Sequence, residues 1–276
     1  MAALAADGGG GVLNRKSRRA AISIAILLII WEIYGSFGRL YGPEGATPPP
    51  IPPASDVFVT WYHLLFDADY WKSWYLSGLR VLSGFGLAVL LGIPLGLLMA
   101  ISRPFYGIAF PPFEVFRPIP PLAWVPIAII FWPTQELSIT FVTFLGAFTT
   151  IVINVLGGAR SIDARYFLAG RSMGATRWDL FRRLIVPGTI PSIAVGAEVG
   201  MGITWSVVVA AEMISGGGRS LSGTGGGLGY FVWNSYVGGQ FPHIIVGMFS
   251  IGIAGYAASA AIRKLGEVLT PWLSTR

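Results

Sequence analysis

Cysteine is absent from this chain of 276 residues, which removes disulfide scaffolds, iron–sulfur clusters and cysteine nucleophiles from consideration. Histidine is nearly absent: only His63 and His243 occur, too few for a histidine-built metal site, and both fall beside apolar runs where an interfacial place suits them better than catalysis. Charge is scarce too, at 12% of residues against about 25% in a soluble domain, while 54% are hydrophobic. None of the lysines, Lys16, Lys72 and Lys264, follows a glycine, so the Gly-Lys-Ser/Thr end of a phosphate-binding loop is missing. The glycine-rich Gly216–Gly229 lacks that lysine and reads as a flexible extracytoplasmic loop. No Ser–His–Asp set or paired carboxylates emerge. These shortages argue against an enzyme, and the scattered arginines argue against a nucleic-acid partner.

What the chain does have is long apolar runs. A helix needs about 20 apolar residues to cross a bilayer. Ala20–Phe37, Leu79–Ile101, Ile139–Leu156, Ile193–Ile214 and His243–Ile262 meet that need. Leu122–Trp132 is about half the length and contains Pro126, so it is either part of a sixth crossing or a broken helix inside the bundle. Basic residues favour the first option. With six crossings and both termini inside, every Lys and Arg except Arg39, Lys72, Arg80 and Arg219 is cytoplasmic, and Arg103 and Arg117 share an inner loop. The expected fold is all-α, a polytopic membrane bundle of about six helices.

Its organisation follows in order. Residues 1–19 form a cytoplasmic tail and 20–37 a retained anchor helix rather than a cleaved signal. Residues 38–78 hold an extracytoplasmic proline-rich linker and an aromatic helix lying at the lipid interface. A core spans 79–262, enclosing a cytoplasmic loop at 160–187, and 263–276 form a cytoplasmic tail. Trp233, Asn234 and Tyr236 precede the last crossing, either as an interfacial aromatic belt or as a contact for an external protein. Gly196, Gly200 and Gly202 permit close helix approach and are candidates for a contact between two copies.

The loop concentrates the arginines of the second half: Arg160, Arg165, Arg171, Arg177, Arg182 and Arg183. Asp163 can cap a helix running through Ser172, Gly174 suits a left-handed corner, and Thr176 with Asp179 has the form of a capping box. A second helix then runs to Pro187, with Trp178, Phe181, Leu184 and Ile185 at helical spacing. Such an apolar face either docks into another protein or lies on anionic lipid. Within the fifth crossing, Glu198 and Glu212 are about 20 Å apart and cannot serve one site. They line or gate a route together with Thr204 and Trp205, or they fix helix packing through buried hydrogen bonds.

Leu168-Ala169-Gly170, Gly174 and Ile185-Val186-Pro187 resemble the cytoplasmic loop of the membrane permease subunits of bacterial ATP-binding-cassette importers, E-A-A, three residues, G, about nine residues, I-x-L-P. Glutamate is replaced by Leu168 and the second alanine by Gly170. "LRVLSGFGLAVLLGIPLGLLMA", "FRPIPPLAWVPIAIIFW", "ITWSVVVAAEMIS" and "GLGYFVWNSY" are similar to the nitrate, sulfonate, taurine and bicarbonate permeases of that family. The resemblance implies the type I importer permease fold in the bacterial inner membrane. It implies a second copy of the chain, two ATPase subunits that bind ATP and magnesium, and a periplasmic or lipid-anchored solute-binding protein. No cofactor or metal is expected in this chain itself. The same resemblance assigns Leu168, Ala169, Gly170, Gly174, Arg177, Trp178, Phe181, Arg182 and Pro187 to contact with an ATPase. A secondary transporter using Glu198 and Glu212 as ion sites is the alternative, although no internal repeat supports it.

Overall fold

The computed structural model describes residues 9–41, 51–215 and 226–273, and among them every regular element is a helix. They divide into two units, residues 1–67 with 235–246, and residues 68–234 with 247–276.

In the first unit, α1 (Gly9–Tyr41) is longer than the expected anchor, and its apolar stretch is Ile22–Ser36. α2 (Ala54–Leu64) returns to it through three polar contacts. Trp31 Nε1 donates to the Pro52 carbonyl at 3.0 Å, and the Ser55 amide and hydroxyl donate to Glu32 at 2.9 and 2.8 Å. Gly35 permits this approach, since a Cβ there would overlap the Pro53 backbone. Most of the proline-rich connector, 42–50, lies outside the described residues.

The second unit begins with α3 (Ala68–Ile101), which corrects one expectation. The aromatic stretch is not one interfacial helix: it splits at Leu65–Asp67 into α2 and the first turns of α3, which starts well before Leu79. α4 (Arg103–Phe116), a 3-10 turn at Pro121–Trp124, α5 (Val125–Phe131) and α6 (Gln135–Arg160) follow. Next come α7 (Ala164–Ser172), α8 (Arg177–Leu180), α9 (Val186–Ser215), α10 (Leu228–Val237) and α11 (Phe241–Leu269), of which residues 235–246 belong to the first unit.

The core is the packing of α3, α6 and α9. Lipid supplies little hydrophobic drive between helices, so close contact depends on small residues. Gly84 meets Thr143, Gly96 meets Val155, Gly196 meets Asn154 and Gly200 meets Ala147. Thus Gly196 and Gly200, read as candidates for a contact between copies, instead seat α9 on α6 within one chain. Gly202 faces open space apart from Ser259 at 3.9 Å from an added Cβ. Ala88, Ile151, Val155, Met201 and Val208 fill the seam.

Helix directions settle the sixth crossing. Arg80, near the start of α3, pairs with Glu136 at the start of α6, and Arg160, at the end of α6, reaches the Met99 carbonyl near the end of α3 at 3.5 Å. The two helices therefore run the same way, and the chain between them must return. It does so along α6. Arg160 lies over the Tyr106 ring at 3.8 Å, Phe113 meets Phe148 at 6.4 Å between ring centroids, and Ser138 Oγ donates to the Ala128 carbonyl at 3.0 Å. From Arg160 back to Ser138 the path covers about 33 Å at about 1.5 Å per residue, enough for a hydrocarbon core of about 30 Å. α4 and α5 are thus one crossing bent by 86°, and Leu122–Trp132 is its second limb. Among the described residues four other helices are long and apolar enough to cross, beside the shorter apolar stretch of α1.

The bend corrects another expectation. Arg117 is not in an inner loop: it caps α4 beside Phe113, which sits against the middle of α6. Pro118, Pro120 and Pro121 stop the helix there because they lack the N–H that would continue it.

Candidate functional site

The loop between α6 and α9 is built from the turn chemistry its sequence carries. Asp163 caps α7, accepting from the Arg165 amide at 2.9 Å and from its guanidinium at 2.5 Å. These two bonds, the guanidinium's first, hold the exposed Asp163 carboxyl below its usual range. At the other end of α7, the Gly174 amide donates to the Arg171 carbonyl and the Ala175 amide to the Gly170 carbonyl, each at 3.0 Å. That is the Schellman arrangement, and Gly174 takes φ +80° to make it. Gly170 has a second task. A Cβ there would press on Leu180 at 2.7 Å, so its bare backbone lets α7 and α8 close on each other.

The capping box forms as its spacing requires: the Asp179 amide donates to Thr176 Oγ1 at 3.2 Å, and the Thr176 amide returns a bond to Asp179 Oδ2 at 3.1 Å. Beyond it the second helix does not stop at Pro187. A π turn over Phe181–Ile185 slips the register, the Val186 amide bonding back to the Phe181 carbonyl, and the helix continues into α9. Pro187 lacks an N–H and would crowd the carbonyl four residues earlier, so the slip lets α8 and α9 form one rod.

The outcome is an exposed surface set on two stiff arms. Leu168, Met173 and Trp178 are exposed, and the Trp178 ring packs at a tilt of 33° against half-buried Phe181, 5.3 Å between centroids. Tyr166, Ala169, Gly170, Gly174 and Leu180 line a groove of about 520 Å³ beside them. Arg177 and Arg182 are exposed on the same loop. Leu168, in place of glutamate, offers only apolar contact. Pro187 is half-buried in the rod rather than on this surface.

At the opposite end of the unit lies a charged cluster that sequence reading left in pieces. Arg80, 3% exposed, forks onto Glu136 with Nε to Oε2 at 2.7 Å and NH2 to Oε1 at 2.5 Å. Its NH1 reaches Glu212 Oε1 at 2.8 Å and the Gly226 carbonyl at 2.6 Å. Glu212, 1% exposed, also accepts from Ser77 Oγ at 2.8 Å and from the Gly229 amide at 2.9 Å. Ser77 Oγ in turn accepts from the Leu228 amide at 2.8 Å. The cluster ties α3, α6, α9 and the start of α10 together. Gly227, at φ +120°, is forced by this site, since a Cβ would collide with the Glu212 carboxylate. The end of the glycine-rich stretch therefore closes over a carboxylate, and residues 216–225 lie outside the described part.

The other carboxylate on α9 sits far from the first. Glu198, half-buried, pairs with Arg263 of α11 at 2.9 Å. Thr204 is fully buried and donates to the Gly200 carbonyl of its own helix at 2.8 Å, and Trp205 is buried against Gly255. Glu198, Thr204, Trp205 and Glu212 are thus dispersed along α9 and not gathered at one point. Arg80, Ser77 and Glu136 are the partners that sequence reading missed. The available signal was an arginine and a carboxylate in otherwise apolar runs, each needing a counter-charge. Among the described residues no cluster of three metal-ligating side chains occurs.

Comparison with known proteins bears on family and fold. Residues 92–275 match the family described as binding-protein-dependent transport system inner membrane component. A nitrate import permease of Synechocystis sp. is 32% identical over 269 residues, covering 94% of this chain and 92% of the relative. The taurine transport system permease of Escherichia coli is 30% identical, covering 93% and 91%. The fold is shared with a membrane chain of a bacterial alginate importer, at TM-score 0.58 and 17% identity over 94% of this chain and 99% of that one. It is shared also with a chain of the methionine transporter MetNI, at TM-score 0.55 and 19% identity over 78% and 96%.

Proposed function

Because the chain belongs to the binding-protein-dependent transport system inner membrane components, we propose that it forms half of a dimeric pathway for a small oxyanion, of the nitrate, bicarbonate, sulfonate or taurine class. Membership makes it a membrane-spanning subunit of an ABC importer. Nitrate and taurine are the solutes in the relatives' names, bicarbonate and other sulfonates follow from the motif resemblance, and delivery falls to a solute-binding protein outside the membrane. ATP and magnesium belong to two partner ATPases, and this chain's part is to receive their motion.

One observation carries the coupling role: the exposed Trp178, packed against the half-buried Phe181, stands beside a capped corner that joins α6 through residues 161–163 on one side and runs on into α9 on the other. Nucleotide that binds closed ATPases better than open ones supplies free energy to whatever is docked in their cleft. Trp178 and Phe181 anchor there, Leu168 and Ala169 extend the contact, and Arg177 and Arg182 pair with acidic rim residues. The far ends of α3, α6 and α9 are pinned by Arg80, so force entering at the loop moves these helices as one body. The loop end also carries Arg103, Arg165, Arg171, Arg183 and Lys264, and this excess of basic residues supports a cytoplasmic loop with both termini on the same side.

The absence of native cysteine permits a clean test. Met173→Cys and Trp178→Cys, each in an exposed position, should cross-link to the ATPase in inner membranes and resist a membrane-impermeant maleimide applied to intact cells. Labelling from outside, or no ATPase adduct from either position, contradicts the coupling role.

A further inference from the structure

Arg117 stands where an arginine has no business facing lipid. It follows α4 at the bend, and Phe113 one turn earlier contacts Phe148, halfway along α6, so the backbone that carries Arg117 lies near the middle of a membrane-crossing helix rather than at its end. Residues 114–120 are all exposed on the surface of the chain. Behind them the bend is lined by apolar side chains: Phe116 meets Trp124 across it at 6.0 Å, and an apolar cavity of about 170 Å³ lies between it and Phe141, Leu145 and Phe148. Among the described residues the one charged partner of Arg117 is Glu114, at 3.5 Å, with both side chains about half exposed.

Charged side chains and non-helical backbone at this depth persist only against protein or water. Lipid cannot cover this face. Glu114 is a loose partner: at 3.5 Å one guanidinium nitrogen is engaged, whereas Arg80 is forked and saturated by Glu136 and Glu212. The remaining donors of Arg117 are a planar fork fitted to two oxygens of a nitrate, bicarbonate or sulfonate group. Pro118, Pro120 and Pro121 restrict the backbone on the C-terminal side of Arg117.

We infer that Arg117 is an oxyanion contact at mid-depth of the translocation route, presented to water by the α4–α5 bend, with Glu114 as the counter-charge that the passing anion displaces. The assignment rests on the importer reading and adds a specificity-determining residue to it.

The test uses the whole importer in vesicles, with its ATPases and binding protein, and the probe is whichever of nitrate, bicarbonate or taurine the unaltered assembly accumulates. Arg117→Gln should lower uptake at least tenfold while binding-protein-stimulated ATP hydrolysis persists, and Arg117→Lys, which keeps charge but loses the fork, should recover part of it. Unchanged uptake in Arg117→Gln overturns the inference and leaves the importer reading intact. Failure of the unaltered assembly to accumulate any of the three strikes the oxyanion reading itself. Should the Arg117 variants fail to assemble, Ile119→Cys decides: a hydrophilic thiol reagent should modify it, and a position that stays unmodified means that the bend meets no water and the inference is wrong.

Discussion

Arg80 and Glu212 meet at 2.8 Å although 132 residues separate them, and their bond joins the start of α3 to the end of α9. Both are almost fully buried, so neither charge has water to fall back on. Removing one partner from a buried pair costs about 3–5 kcal/mol because the other is left uncompensated. Arg80→Met and Glu212→Met should each lower the melting temperature of the detergent-purified chain sharply, and the double variant should lose less than the two losses added. Additive losses would mean that the pair is not coupled.

Glu136 is the weaker arm. Its side chain is 45% exposed, so solvent screens the ion pair and Glu136→Gln should cost about 1 kcal/mol or less. A loss as large as that of Glu212→Met in the same melting assay would contradict this ranking.

Gly227 is fixed by its neighbour, while Gly86 and Gly107 are not: a Cβ at either of those positions meets nothing. Gly227→Ala should therefore destabilise the fold and expose the C-terminal end of α9 to hydrogen exchange, whereas Gly86→Ala and Gly107→Ala should bring no such loss.

Gly174→Val should uncouple rather than unfold. A left-handed backbone costs a side-chain-bearing residue about 1–2 kcal/mol, more for a β-branched one, and the corner sits away from the core. ATP hydrolysis should continue with less solute moved per ATP, and an unchanged ratio would show that the corner's geometry is immaterial.

Acid should loosen the start of α7. The folded Asp163 carboxyl titrates below its unfolded value of about 3.9, so its stabilisation is present above that pH and declines as pH falls through the lower folded value. Amide exchange at Arg165 should accelerate, relative to the intrinsic rate, only below about pH 4, and Asp163→Asn should remove that pH dependence.

Much of the loop was legible because its signals are local. Asp163, Gly174 and the Thr176–Asp179 box each specify their own turn within a few residues, and each forms as written. Helix limits were less so: α3 extends back to Ala68 because its aromatic first turns are as helical as they are interfacial, and Pro187 failed to break a helix because a π turn absorbed it. The charged cluster was hidden by distance in sequence. Nothing near Glu212 announces Arg80 or Glu136, and only the antiparallel return of α9 along α3 and α6 brings them together. Arg117 misled for the opposite reason. Beside prolines it looked like a loop residue, whereas the bend that carries it is part of a crossing.

The most direct measurement is uptake into vesicles holding this chain, its ATPases and its binding protein, with the driving force varied. ATP alone should suffice, ionophores should leave uptake unchanged, and changing Trp178 and Phe181 together to Asp should abolish it along with ATPase association, a loss in affinity of more than about tenfold. Uptake that proceeds without ATP along an imposed ion gradient, or that survives the double change at full rate, would contradict the account.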